Sequence, residues 1–106
     1  MWAQLISMRL KPGAEHELTG VMDALHAVEQ PGSGLLRSFT LTERDDPQAV
    51  HILVVFESEE RARVRENDAQ RQQTLVPART KMAEIFDGPP TFTDLDVVID
   101  RSYQPT

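Results

Sequence analysis

Four short segments rich in apolar residues recur along the chain, at residues 2–10, 35–43, 50–57 and 91–100. Turn residues bound them, such as KPG after the first segment and DGPP before the last, and this pattern is typical of β-strands. Only the polar stretch TERDDPQ separates the second segment from the third, so these two are expected to form a hairpin with a long turn. The sequence therefore predicts four strands.

A first helix is predicted between the first two strands, over residues 14–30. Apolar residues recur there three or four positions apart, and Pro31 and Gly32 follow them as helix-ending residues. The predicted apolar face consists of Leu18, Val21, Met22, Leu25 and Val28.

A second helical region is predicted between the third and fourth strands. Ser58 is placed to begin it, because its hydroxyl can accept a hydrogen bond from the backbone amide of Arg61. Asn67 and Asp68 weaken a helix, and Pro77 cannot donate a backbone hydrogen bond to the preceding turn. We therefore expect this region to be broken or kinked.

The predicted order is strand, helix, strand, strand, helix, strand, which is the split βαβ arrangement of an α+β, ferredoxin-like fold with a four-stranded antiparallel sheet. Right-handed crossovers place the first and third strands at the centre, with both helices on one face. In the third strand Ile52, Val54 and Phe56 point to one face, and Leu53 and Val55 point to the other. Because both faces are apolar, a second copy of the chain is expected to cover the face without helices.

Composition narrows the classes of partner. The length of 106 residues predicts one domain, over residues 1–100 with a tail at 101–106. The net charge of −6 argues against nucleic acid or anionic membrane as partners. The absence of cysteine excludes disulfides and thiolate chemistry and favours a cytoplasmic location. The N-terminal residues lack a basic leader, so no signal peptide is expected.

Three stretches resemble a known family: EQPGSGLLR before the second strand, VHILVVFESEERARVRE across the third strand and the next helix, and MAEIFDGPPTFTDLDVV near the end. They are similar to the antibiotic biosynthesis monooxygenase (ABM) family of dimeric α+β barrels. The resemblance implies a ferredoxin-like monomer, a homodimeric barrel, and a pocket between helices and sheet for a small apolar or aromatic ligand.

Some members of this family degrade haem, but this activity is not expected for the present chain. Haem-degrading members use an Asn on the first strand and a Trp and a His in the second half of the chain. Here the only Trp is Trp2 and no His follows His51. His16 and His26 are too far apart along a helix, about 15 Å, to share a metal ion. No cofactor and no metal are therefore predicted.

Two classes of function stay open. Members that oxygenate aromatic polyketides without a cofactor bind a phenolic substrate, whose own anion reacts with oxygen, beside Asn, Trp and Tyr side chains. In this sequence Asn67, Gln4 and His51 are candidates for positioning such an anion, although no aromatic residue lies between Phe56 and Phe86. The alternative is a non-catalytic dimeric protein that binds a small ligand or has an accessory role.

Two charged features also have a structural explanation. His51 could act as a base, but a histidine that is hydrogen-bonded at the dimer surface is the explanation that the sequence favours. The arginines of the helix after Ser58 could bind an anion, but Glu57 with Arg61 and Glu59 with Arg63 have the i,i+4 spacing of ion pairs on a solvated helix.

Overall fold

The computed structural model describes residues 1–103, so the last three residues of the predicted tail lie outside the described residues. The strands are β1 (Trp2–Arg9), β2 (Leu35–Glu43), β3 (Asp46–Phe56) and β4 (Thr91–Asp96). The helices are α1 (Leu18–Ala27), α2 (Glu59–Glu66), α3 (Ala69–Thr74) and α4 (Val76–Ile85), and a short 3₁₀ helix (Glu15–Glu17) precedes α1.

The four strands form one antiparallel sheet in the order β2-β3-β1-β4. This order confirms the predicted ferredoxin-like fold, with β1 and β3 at the centre. β1 and β3 pair over their whole common length, from Trp2 opposite Phe56 to Arg9 opposite Ala49. The homodimeric barrel that was predicted with this fold stays a prediction.

The hydrophobic core lies between the helices and one face of the sheet, which we call the helix face. Its main cluster joins β3 to α1 and α4 through buried residues that include Val50, Ile52, Val21 and Ile85. A smaller cluster holds Trp2 and Phe56 of the central strands against Ala62 of α2. The opposite face, which we call the open face, has no helix against it in the described part of the chain.

The predicted helix signals act as expected. The Ser58 hydroxyl accepts from the Arg61 amide at 3.2 Å and begins α2. The region breaks at Asn67 and Asp68, where the Asp68 carboxylate accepts from the amides of Gln70 and Arg71 and begins α3. Pro77 lies in the first turn of α4, where its missing N–H removes no intrahelical bond.

Three predicted boundaries are wrong. β4 ends at Asp96 rather than residue 100, because Asp96 already pairs with Trp2 and β1 has no earlier strand residue to continue the ladder. α1 is shorter than residues 14–30, since its N-terminal part is a 3₁₀ helix and Val28 is its C-terminal cap. The β2–β3 turn is short rather than long, because β3 already begins at Asp46.

No helix in the described part of the chain is long and apolar enough to cross a membrane.

Two valines in opposite environments test the position of the core. Val50 is fully buried under α1 and α4, whereas Val64 on α2 is 64% exposed. We expect Val50→Ala to lower the free energy of unfolding by about 2 kcal/mol or more, because it removes buried methyl groups and leaves a cavity.

The matched change Val64→Ala should alter that free energy by less than about 0.5 kcal/mol, with helix propensity slightly in its favour. Urea denaturation of the two variants gives both values. Equal losses would mean that the core is not where the structure places it.

Candidate functional site

The structure places the three sequence-predicted site residues in three separate places. Gln4 lies on β1 and faces the helices, because it pairs with Val54, which packs in the core. His51 lies on β3 three positions before Val54. Because successive side chains of a strand alternate between its two faces, His51 faces the open side. Asn67 caps the C-terminus of α2 on the outer surface. These residues therefore do not form a common site within one chain.

Gln4 is the buried polar side chain of the sheet, with 9% of its surface exposed. Its amide nitrogen donates to the Asp94 carboxylate on β4 at 3.1 Å, and Asp94 is its direct partner across the two strands. The second oxygen of Asp94 accepts from Arg63 of α2 at 3.2 Å. The amide of Gln4 is thus held in one orientation, which leaves its carbonyl oxygen as an acceptor.

Arg63 connects this polar group to an aromatic one. Its guanidinium carbon lies 5.1 Å from the centre of the Trp2 ring, within the range of a cation–π contact. Hydrogen bonds from Arg63 to Glu59 and Glu66, together with the charges of Glu66 and Asp94, raise its pKa. A permanent positive charge therefore lies beside Asp94 and the buried Trp2.

An apolar surface continues from Gln4 along the edge of the sheet. Phe92 of β4 pairs with Ile6, two positions along β1 from Gln4, so all four side chains share the helix face. Phe92 is 58% exposed, since no helix covers β4 in the described residues. We call Gln4, Ile6, Phe92 and Asp94 the β1–β4 strip. It combines an exposed ring with a fixed amide and a carboxylate.

His51 belongs to a different arrangement on the open face. Its Nδ1 lies 2.9 Å from the hydroxyl of Ser7 on β1, and its Nε2 lies 2.8 Å from the carboxylate of Glu43 on β2. Both ring nitrogens are therefore engaged by neighbouring strands. The hydrogen-bonded histidine expected from the sequence is present, and its partners are Ser7 and Glu43.

The arginines of α2 have mixed roles. The predicted pairs Glu57–Arg61 and Glu59–Arg63 are confirmed, at 3.2 and 3.0 Å. Arg65 instead reaches across to Glu29, after α1, and its Nε and Nη2 both donate to that carboxylate. The side chains of Arg65 and Glu29 are largely buried, unlike those of the two i,i+4 pairs.

Two opposing effects act on the pKa of the Glu29 carboxyl group. Burial raises the pKa of its carboxyl, but hydrogen bonds from Arg65 and Ser33 and the positive charges of Arg65 and Arg71 outweigh burial. The pKa of Glu29 therefore lies below its ordinary value, and the charged pair with Arg65 stabilises the fold.

Comparison with known proteins agrees on the fold. A proposed antibiotic biosynthesis monooxygenase from Nitrosomonas europaea superposes with a TM-score of 0.73 at 16% identity, covering 93% of this chain and 100% of the other. A variant of SnoaB, a cofactor-independent oxygenase from Streptomyces nogalater, gives 0.73 at 17% identity and covers 93% and 94%. The chain has the ABM fold.

A third similar structure contains a bound metalloporphyrin. It is a MhuD variant with two manganese protoporphyrin IX molecules per active site, with a TM-score of 0.72 at 17% identity and coverage of 97% and 100%. No protein-family model and no curated protein matches this sequence. The resemblance inferred from the sequence is therefore confirmed for the fold, and these identities carry no activity over to this chain.

Sequence reasoning missed the partners of its own candidates. Asp94 is 90 positions from Gln4, and only the β1–β4 register brings the two together. Ser7 and His51 are direct partners across β1 and β3, so an assumed register could have found this pair. The i,i+4 spacing predicts the ion pair of Arg63 with Glu59, but it gives no sign of the contacts of Arg63 with Trp2 and Asp94.

The ion pair of Glu29 and Arg65 predicts a pH-dependent stability. Its contribution is fully present above about pH 5.5, where the unfolded carboxyl is ionised, and is lost as the pH falls through the lower folded pKa. We expect Glu29→Gln to cost about 1–3 kcal/mol at pH 7 and progressively less below about pH 4.5.

Glu15→Gln serves as the matched control, because Glu15 is exposed and makes no ion pair among residues 1–103. It should stay close to the unchanged protein at every pH. The measurement is chemical denaturation of the three proteins from pH 3 to pH 8. A constant difference between Glu29→Gln and the unchanged protein over this range would contradict the assignment.

Proposed function

We propose that this chain binds an electron-rich aromatic small molecule at the β1–β4 strip and promotes its oxygenation without a cofactor. The observation that carries the proposal is Gln4, a buried amide fixed by Asp94 beside the exposed ring of Phe92. A few fixed polar groups beside apolar surface are typical of small-molecule sites. The shared fold with a cofactor-independent oxygenase supports the proposal by analogy.

Each residue of the strip has a role in this proposal. Phe92 and Ile6 contact the aromatic rings, and the Gln4 carbonyl oxygen accepts a hydrogen bond from a phenolic hydroxyl. Asp94 takes up the proton that the substrate loses, and the charge of Arg63 stabilises the resulting anion. The anion adds O₂ at a ring carbon that carries hydrogen and reduces it by two electrons to a carbon-bound peroxide, which takes the proton back from Asp94 and becomes a hydroperoxide. Loss of water, with the hydrogen of the same carbon, then leaves a carbonyl group.

A second candidate is binding without turnover. Asp94 already accepts from both Gln4 and Arg63, which reduces its capacity to take a proton. Asn67 lies outside the strip, and the chain between Phe56 and Phe86 supplies no aromatic side chain. These observations favour a non-catalytic or accessory protein that holds the same class of ligand.

Fused-ring phenols such as 1-naphthol separate the two candidates. Oxygen consumption together with a higher melting temperature is the result expected for the oxygenase. A higher melting temperature without oxygen consumption supports binding alone. Neither effect with any phenol of the panel would contradict both candidates.

A pair of glutamine variants assigns the effect to the strip. Gln4→Leu removes the oriented amide and should lower the affinity for 1-naphthol at least about tenfold, the size of one lost hydrogen bond in a buried site. Gln73→Leu on exposed α3 makes the same chemical change away from the strip and should leave the affinity unchanged. Equal affinity in the two variants would place the ligand elsewhere.

We also propose that the chain is a homodimer held together by its open face. Direct partners across the strands place Leu5, Leu53 and Phe39 side by side there, and Val55 lies in the next row. Such a contiguous apolar surface usually marks an interface, and a second copy supplies a matching one.

The absence of cysteine supports a cytoplasmic location, which we propose as well.

Two Asp substitutions test the dimer. Leu53→Asp leaves a carboxylate facing the partner sheet and should give a folded species of 12.0 kDa. Val64→Asp on the exposed side of α2 should keep the mass of the unchanged protein, about twice that value. Light scattering over a dilution series gives the masses. A Leu53→Asp protein with the mass and melting temperature of the unchanged dimer would rule the open face out.

A further inference from the structure

A cleft lies away from the β1–β4 strip, between the loop after α1 and the helices α2 and α3. The cleft has a volume of about 260 Å³. Its walls are the loop residues 29–33, the side of α2 that carries Arg61 and Arg65, and Arg71 of α3. The space suits a small ligand rather than a polymer.

Most charged groups of this cleft already have partners. Arg65 and Glu29 bind each other through two nitrogens and both carboxylate oxygens. Arg61 donates to Glu57 and to the carbonyl of Gly32. These contacts use the carboxylate of Glu29 and hold the loop in place.

Asp68 is also occupied, since its carboxylate accepts from the backbone amides that begin α3. Among residues 1–103, the guanidinium of Arg71 makes no ion pair and no side-chain hydrogen bond, although its side chain is half-buried. Arg71 therefore brings hydrogen-bond donors to the cleft without a carboxylate partner.

The surroundings of Arg71 hold an excess of positive charge. Burial lowers its pKa most, the charge of Arg65 lowers it further, and Arg79 adds to this effect, with partial compensation from Glu29 and Glu66. Like charges in a partly buried place oppose folding unless something neutralises them. An anion in the cleft would remove this repulsion.

We propose that the cleft binds a small oxyanion, either a phosphate or a carboxylate group, through the guanidinium of Arg71. The planar fork of an arginine matches two oxygens of such a group, and the charge of Arg65 lies alongside. The net charge of −6 disfavours large polyanions, so the ligand is a small molecule. This site is independent of the aromatic ligand proposed for the β1–β4 strip.

The test is an NMR titration of the full chain with inorganic phosphate and, separately, with acetate, each against sodium chloride at equal ionic strength. Saturable shifts of Gly32, Ser33 and Arg71 are expected with at least one of the two anions. The anion with the higher affinity identifies the oxyanion class. Linear shifts equal to those with chloride, for both anions, would overturn the proposal.

Two arginine variants make the test specific. Arg71→Gln should weaken the binding of the preferred anion at least tenfold, whereas Arg44→Gln in the exposed β2–β3 turn should leave it unchanged. In the absence of anion, Arg71→Gln should melt at or above the temperature of the unchanged protein, because a repulsive charge is removed. Unchanged anion affinity in Arg71→Gln would overturn the role of this residue.

Discussion

The antiparallel pairing of β1 with β3 determines which side chains of the central strands form the core. Eight residue pairs, from Trp2 with Phe56 to Arg9 with Ala49, fix which side chains point to the helices and which point away. A slip by one position would exchange the two sets completely. Because the apolar residues are present in both sets, the register decides both the core and the surface that stays open.

The same pairing separates the polar groups of the sheet. Gln4 and Ser7 differ by three positions on β1, so the strand period places them on opposite faces. Gln4 therefore meets Asp94, and through it Arg63, on the helix face, whereas Ser7 meets His51 on the open face. A single chain cannot combine these two groups in one reaction, and we assign them to different roles.

The helices add constraints of their own at the end where α2 begins. Trp2 and Phe56 lie with their ring centres 5.9 Å apart, and the guanidinium groups of Arg63 and Arg65 stand over the two rings. These arginines attach α2 to the sheet without a large apolar side chain, since Ala62 is the buried residue of that helix. The charge of α2 is therefore part of its packing as well as of its solubility.

The sequence predicted what depends on local pattern. Alternation along β3 assigned Leu53 and Phe56 to opposite faces, and the hydroxyl of Ser58 marked the start of α2. Local sequence pattern could not predict contacts that depend on strand register or on distant segments, such as the contact of Gln4 with Asp94. The apolar residues after Asp96 resemble a strand by composition, but β1 offers them no partner.

The two faces of the sheet are assigned different roles, with the small ligand on the helix face. A methyl NMR titration of Ile-, Leu- and Val-labelled protein with 1-naphthol tests it directly. We expect the methyl signals of Ile6, on the helix face beside Phe92, to shift in a saturable way, while those of Leu53 on the open face stay in place. Saturable shifts of Leu53 without a change at Ile6 would instead place the ligand on the open face.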